Sequence, residues 1–289
     1  MRIGEGRLPL PLAGRVSMKG IECIKSGEIE SYRQWMTSFY KSGAYRECIA
    51  LWVRHFVRGD GLPVRGGAGD ENTATVFEDD FVVVHLRYLA NSIRKKSLNG
   101  TVSTSPVSSL ILPVAGGSLD FSRWTVDGDF DRDTFTRDAA LVPSEEGICG
   151  IGDILEIFRG SHCLRLEANR GGVFVLQVSN RSSDRLVWTF DRASGRAKFA
   201  SSASIAASRD QLVCRALAEM GHAESYSLIC EVARDHGFHF VRMEALRSLF
   251  ILGYPDLLRL LRERALFDPH PHVRAACEKN IYALQEGEL

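Results

Sequence analysis

The sequence predicts an α+β multidomain protein with helices at the N-terminus, an antiparallel β-barrel in the middle and a helical array at the C-terminus. Two observations carry that prediction. Apolar residues recur at three- and four-residue spacing near the N-terminus, change to a period of two from 76 to about 200, and return to the helical period from 204 onward. A self-similarity then runs through the last segment: Arg215-Ala216-Leu217 with Gly221 is matched, 32 residues on, by Arg247-Ser248-Leu249 with Gly253, and more loosely by Lys279-Asn280-Ile281 with Gln285. The 289 residues suffice for about two domains on a prior of roughly 150 residues each. The boundaries read as 1–75 for a helical extension and loop, 76–203 for the barrel and 204–289 for the array.

Within 27–57, Trp35, Phe39 and Tyr40 give one helix an apolar stripe and Ser42-Gly43 breaks it. Cys48, Ile49, Trp52, Val53 and Phe56 give a second helix another. Stripes at this spacing are core faces before they are partner grooves. RGDGLPVRGGAGDENTAT (58–75) has no period and reads as a loop. Its Arg58-Gly59-Asp60 triplet is a chance match, and its glycines lack the Lys-Ser/Thr pair of a phosphate-cradling loop.

Nine strands follow, at 81–89, 108–116, 118–126, 133–141, 152–158, 162–168, 171–179, 185–191 and 195–201, although FVVVHLRYL (81–89) could also begin a helix. Many short strands at this spacing indicate an all-β sandwich or barrel rather than a parallel sheet.

Composition narrows the function classes. Thirty-six basic residues balance thirty-six acidic ones, so neither nucleic acid nor an anionic membrane is expected as a partner. The seven cysteines form no CxxC pair, which argues against a disulfide framework or a zinc ribbon and suits a reducing cytoplasm. No apolar run approaches about 18 residues, so the expected location is cytoplasmic.

Two resemblances add to this. FDPHPHVRAACEKNIYAL (267–284) resembles a HEAT-type repeat, on Asp268, Val273, Arg274, Ala275 and Ala276, and Val241-Arg242 repeats as Val273-Arg274. The resemblance implies a short solenoid whose helix pairs bury their faces on neighbours and offer a surface to a protein partner through 204–289. The stretch GDILEIFRGSHCLRL (152–166) resembles the second conserved motif of the cupins: Gly152, Phe158 in the proline place, Gly160 and then His162, one residue early. It implies a jelly-roll barrel in which His162 can point at a central cavity.

A metal-dependent cupin would also supply a His-x-His pair and a glutamate some thirty residues upstream. Here FSRWTVDGDFDRDTFTRD stands in that place, with no histidine between His85 and His162. One imidazole does not hold iron, manganese or zinc, for which about three protein ligands are the working minimum. The expectation is therefore no resident cofactor, with a divalent Fe, Mn or Zn on His162 as the alternative, completed by Glu156 and one of Asp127, Asp129, Asp131 or Asp133. The DGDFDRD alternation resembles a calcium loop, but Arg132 stands where the sharp turn needs glycine, and a solvated hairpin edge is the reading adopted. Trp124 and Trp188 are the candidate stacking walls of a metal-free ligand cavity. His236, His239, His270 and His272 fall at the mouths of successive repeats and read as polar residues at inter-helix turns rather than a metal site. The function expected is a non-catalytic protein- or ligand-binding protein, regulatory or scaffolding. The alternative is a metal-dependent oxygenase or isomerase acting on a small organic molecule in the barrel.

Overall fold

The structure is a computed structural model that describes residues 29–58, 73–78, 80–90, 100–128, 131–169 and 171–286. Gly59 and Asp60, most of the 58–75 loop, Asp129, and the side chains of Trp52 and Phe56 lie outside the described residues. The chain divides into two compact units between Ser201 and Ser202.

In the first unit, helices α1 (Ile29–Ser42) and α2 (Tyr45–Arg58) are separated at Gly43, as the sequence predicts. Tyr32, Trp35, Met36 and Phe39 follow the i, i+3, i+4, i+7 rhythm of one helix face and are all buried. They form a cluster with Val84, Leu86, Leu110, Leu112, Leu176 and Val178, so the aromatic stripe is core.

Among the described residues eleven strands follow: β1 (Thr73–Glu78), β2 (Val82–Leu89), β3 (Thr101–Ser103), β4 (Val107–Gly116), β5 (Leu119–Asp127), β6 (Ala140–Cys149), β7 (Leu155–Ile157), β8 (His162–Ala168), β9 (Val173–Ser183), β10 (Leu186–Asp191) and β11 (Ala197–Ser202). One sheet runs β1-β2-β9-β4-β7, and another β6-β5-β8. The Thr104↔Cys163 bridge brings β3 alongside β8, and β10 and β11 continue beyond β3. The two layers are therefore β2-β9-β4-β7 and β3-β8-β5-β6. From β2 to β9 the chain changes layer at every connection but β5 to β6, which is the doubled Greek key of a jelly roll.

The period of two explains how β9 and β4 bury both faces. Val173, Val175 and Ile111 meet Leu119, Phe121, Leu164 and Leu166 between the layers, while Leu176, Val178, Leu110 and Leu112 meet the helices. A sheet covered on both faces needs no polar side, hence the unbroken LILPV run of β4.

FVVVHLRYL, read as a strand with a helix as the alternative, is strand in β2, paired along β9. Other segments differ from the sequence reading. TATVFE forms β1 where a loop was expected to reach 75. DTFTRDAAL was expected as a strand, but 131–139 is turn and the strand begins at Ala140. Its short polar side chains capture the local backbone instead: the Asp131 carboxylate accepts from the Asp133 N–H at 3.0 Å and the Thr134 hydroxyl at 2.7 Å, and Thr136 Oγ1 accepts from the Asp138 N–H at 3.2 Å.

The second unit holds α3 (Ile205–Glu219), α4 (Tyr226–Asp235), α5 (His239–Ile251), α6 (Leu257–Phe267) and α7 (Pro271–Glu286). The repeat in sequence is a repeat in capping. Gly221 (φ 66°) and Gly253 (φ 70°) end α3 and α5 in the left-handed region. In each case the next residue's N–H closes a six-to-one bond, His222 to Leu217 O and Tyr254 to Leu249 O, both 3.0 Å. The Val-Arg pair is equally explained. Val241 and Val273 are fully buried, while Arg242 Nη1 donates to His236 O at 2.7 Å and Arg274 Nη1 to Asp268 O at 2.8 Å. Each arginine thus satisfies the carbonyl of the residue that ends the preceding helix.

Candidate functional site

In the barrel, His162 opens β8 on the face shared with Leu164 and Leu166, toward the interlayer core. Its Nδ1 accepts the Phe158 N–H at 3.2 Å, and the Phe158 ring stands edge-on at 5.2 Å. Burial lowers its pKa, nearby Arg123 lowers it further, and Glu156 pulls the other way. The turn before it is fixed by backbone geometry. Gly160 sits at φ 63°, and a Cβ there would lie 2.2 Å from Asp184 Oδ2 and 2.8 Å from Arg132 Cδ. Arg132 in turn donates to Ser161 Oγ at 2.8 Å.

Glu156 does not share a face with His162. Its neighbours Leu155 and Ile157 point into the interlayer core, so its carboxylate faces the other way and pairs with Arg33 of α1 at 2.8 Å. Of the aspartates, Asp131 is taken up by its own turn, Asp133 pairs with Arg185 at 3.6 Å, and Asp127 is exposed at the end of β5. Among the described residues, no group of three ligating side chains forms around His162. Among the described residues, His162, Glu156 and the candidate aspartates are not brought together.

Trp188 is buried, donates Nε1–H to Arg132 O at 2.9 Å, and packs near Phe135 and Phe190 at 5.3 and 6.3 Å. Trp124 carries the Arg192 guanidinium over its ring at 5.5 Å. Cys163, next to His162, is fully buried, and burial pushes its thiol up to about 12. Burial likewise raises Cys48, Cys149 and Cys277 to about 11, so none of these thiols is an activated nucleophile.

A polar strip inside the barrel was missed by the sequence reading. His85 and Arg87 of β2, Gln177 and Ser179 of β9 and Ser109 of β4 alternate with core residues on one sheet face. Arg87 Nη1 donates to Gln177 Oε1 at 2.9 Å, the Ser109 and Ser179 hydroxyls share a 2.8 Å bond, Gln177 Nε2 donates to Ser179 Oγ at 3.1 Å, and His85 Nδ1 lies 3.3 Å from Thr75 Oγ1. Burial and Arg87 lower the His85 pKa. The signal was available: polar residues at every second place of otherwise apolar strands, as in HLR and QVS.

In the helical array, a largely apolar groove of about 520 Å³ lies among α3, α5, α6 and α7, lined among others by Phe240, Met243, Arg247, Phe250, Asn280 and Leu284. Beside it Arg215 holds Glu244 through two 3.0 Å bonds, which keeps that carboxyl below its ordinary range. The array is braced by a buried pair, Arg242 to Asp268, at 2.9 and 2.7 Å. Burial alone would raise the Asp268 pKa; the Arg242 hydrogen bonds, the His270 N–H and the arginine charges outweigh it and hold the carboxyl low. His236 pairs with Asp210 at 3.2 Å. The ligand atoms of His239, His270 and His272 lie within 4.8 Å of one another, and these three are the one such group among the described residues.

Compared with known proteins, residues 206–281 match the family model of HEAT repeats. No curated protein sequence matches the chain. Three solved structures overlap parts of it. An RmlC-like cupin family protein with a double-stranded β-helix fold from Methanocaldococcus jannaschii is 10% identical over 41% of this chain and 90% of that one, with a TM-score of 0.26. Hydroquinone 1,2-dioxygenase from Sphingomonas sp. TTNP3 is 11% identical over 40% and 70%, at 0.28. Procruciferin, an 11S globulin from Brassica napus, is 10% identical over 38% and 23%, at 0.25, so the chain spans less than a quarter of that protein's length. The jelly-roll assignment rests on strand order; these low scores add no argument to it.

Proposed function

We propose that this chain is a non-catalytic binding protein, regulatory or scaffolding, that receives a protein partner in the groove of its helical array. The barrel serves as a metal-free domain able to hold a small ligand against its polar strip. The observation that carries the reading is the groove itself. It is about 520 Å³ in volume and largely apolar, with Phe250 exposed beside the charged Arg247, on a match to HEAT repeats. Apolar walls with one charge at the edge suit a partner segment that inserts apolar side chains and carries a carboxylate for Arg247.

The alternative, a metal-dependent oxygenase or isomerase in the barrel, has less support, because Glu156 faces α1, Asp131 is used in its own turn and Asp133 pairs with Arg185. No helix among the described residues is long and apolar enough to cross a membrane.

The test is affinity capture with the full chain, wild type beside Phe250→Asp and Arg247→Glu. Both side chains are exposed, so folding is retained. A protein captured by the wild type and lost from both variants is expected. Capture unaffected by either substitution would remove the groove from the account.

A further inference from the structure

We propose that His239, His270 and His272 form a zinc site that joins two successive repeats of the helical array and leaves one coordination position open. His239 is the first residue of α5, His270 immediately precedes α7, and His272 lies in the first turn of α7. His239 is more than thirty residues from the other two in sequence, yet the ligand atoms of all three lie within 4.8 Å of one another. The His239 and His270 rings lie parallel with centroids 3.7 Å apart, and the His272 ring stands across them at 73° and 69°.

The chemistry of the donor set selects the ion. Three imidazoles suit a borderline divalent metal, and a set of three nitrogen ligands with a fourth place for water or another small ligand is a zinc arrangement. At Zn–N distances of about 2.0–2.1 Å, tetrahedral nitrogens stand roughly 3.4 Å apart, so the widest pair must close by no more than about 1.4 Å. Rotation of the partly exposed His272 supplies movement of that size, and its exposure gives the ion an entry path. His239 and His270 are buried side by side, and their parallel rings must tilt toward each other for both in-plane lone pairs to meet one ion.

The neighbouring groups allow it. The Asp268 carboxylate accepts the His270 backbone N–H at 2.9 Å and is itself fixed by Arg242, which anchors the chain entering α7. The Nδ1 of His270 accepts the His272 N–H at 3.2 Å. That is a long bond from a first-turn donor with no acceptor in its own helix, which water can serve instead, so zinc displaces a weak interaction. The positive ends of α5 and α7 oppose any cation. Their influence falls off within the first turn and is small beside three metal–imidazole bonds.

The experiment is a zinc titration of the full chain after chelator treatment, followed by calorimetry and by histidine NMR spectra. One equivalent is expected to bind, shifting the imidazole resonances of these three residues and raising the unfolding temperature of the array. His272→Gln and His239→Gln should each weaken binding at least about 10-fold. Because His272 is partly exposed, its substitution leaves the fold intact. Cobalt substituted for zinc should give the intense visible bands of a four-coordinate site in the wild type and lose them in His272→Gln. No zinc binding by the wild type, or binding unchanged in both variants, overturns the proposal. The His162→Ala variant separates this site from the barrel, since it should bind zinc as the wild type does.

Discussion

The barrel and the helical array handle histidine in opposite ways. In the barrel, residues close in sequence are separated by the change of layer between β7 and β8: Glu156 pairs with Arg33 while His162 accepts a backbone N–H from Phe158 on the inner side. In the array, residues a whole repeat apart are brought together: His239 stacks on His270 at 3.7 Å. Proximity in a β-layer is set by parity and strand order, whereas in a solenoid it is set by the repeat length. A motif of neighbouring residues is thus weak evidence for a site in the first and spaced residues are good evidence in the second.

The sharpest way to break this comparison is through the pair that braces the repeats. Asp268→Asn leaves Arg242 buried without its counter-charge, and the array should lose about 3–5 kcal/mol while the barrel's unfolding is unchanged. Denaturant melts that resolve the two units measure this. The same pair sets a pH dependence. The Asp268 carboxyl is held below its ordinary range, so its contribution is fully present above about pH 3.9 and disappears as the pH falls through the lower folded value. The gap between wild type and Asp268→Asn should close on acidification below pH ~4. A gap that stayed constant would deny that the pair is ionised.

Met36→Ala is the matching cut in the other unit. Met36 is fully buried between α1 and the sheet, and its truncation should cost the barrel about 2–5 kcal/mol with no effect on the array. Gly253→Ala is smaller. No atom lies within 4 Å of the added Cβ, so the loss is only that of a left-handed alanine, about 1–2 kcal/mol. Smallest is His162→Ala, which removes one hydrogen bond to the Phe158 N–H and should cost about 1 kcal/mol by the same melts.

What was legible in the sequence follows the same division. The run of β4 announced a strand buried on both faces, and Val241-Arg242 with Val273-Arg274 announced a repeat whose arginines cap the preceding helices. The strand at DTFTRDAAL failed because Asp131 and Thr136 bind their own backbone more readily than a neighbouring strand. TVS of β3 is three residues long and carries no period to detect. Glu156 was grouped with His162 because the sequence shows spacing but not which way each side chain points around the Gly160 turn. The array's histidines were recognised as lying at turns, but only the packing of α5 and α7 shows that three of the four converge and that His236 is drawn off to Asp210.

Zinc stoichiometry of the full chain, measured for the wild type, His162→Ala and His272→Gln side by side, tests this division most directly. One equivalent in the wild type and His162→Ala, with none retained by His272→Gln, is the predicted result. A metal lost from His162→Ala and kept by His272→Gln would place the functional centre in the barrel and contradict it.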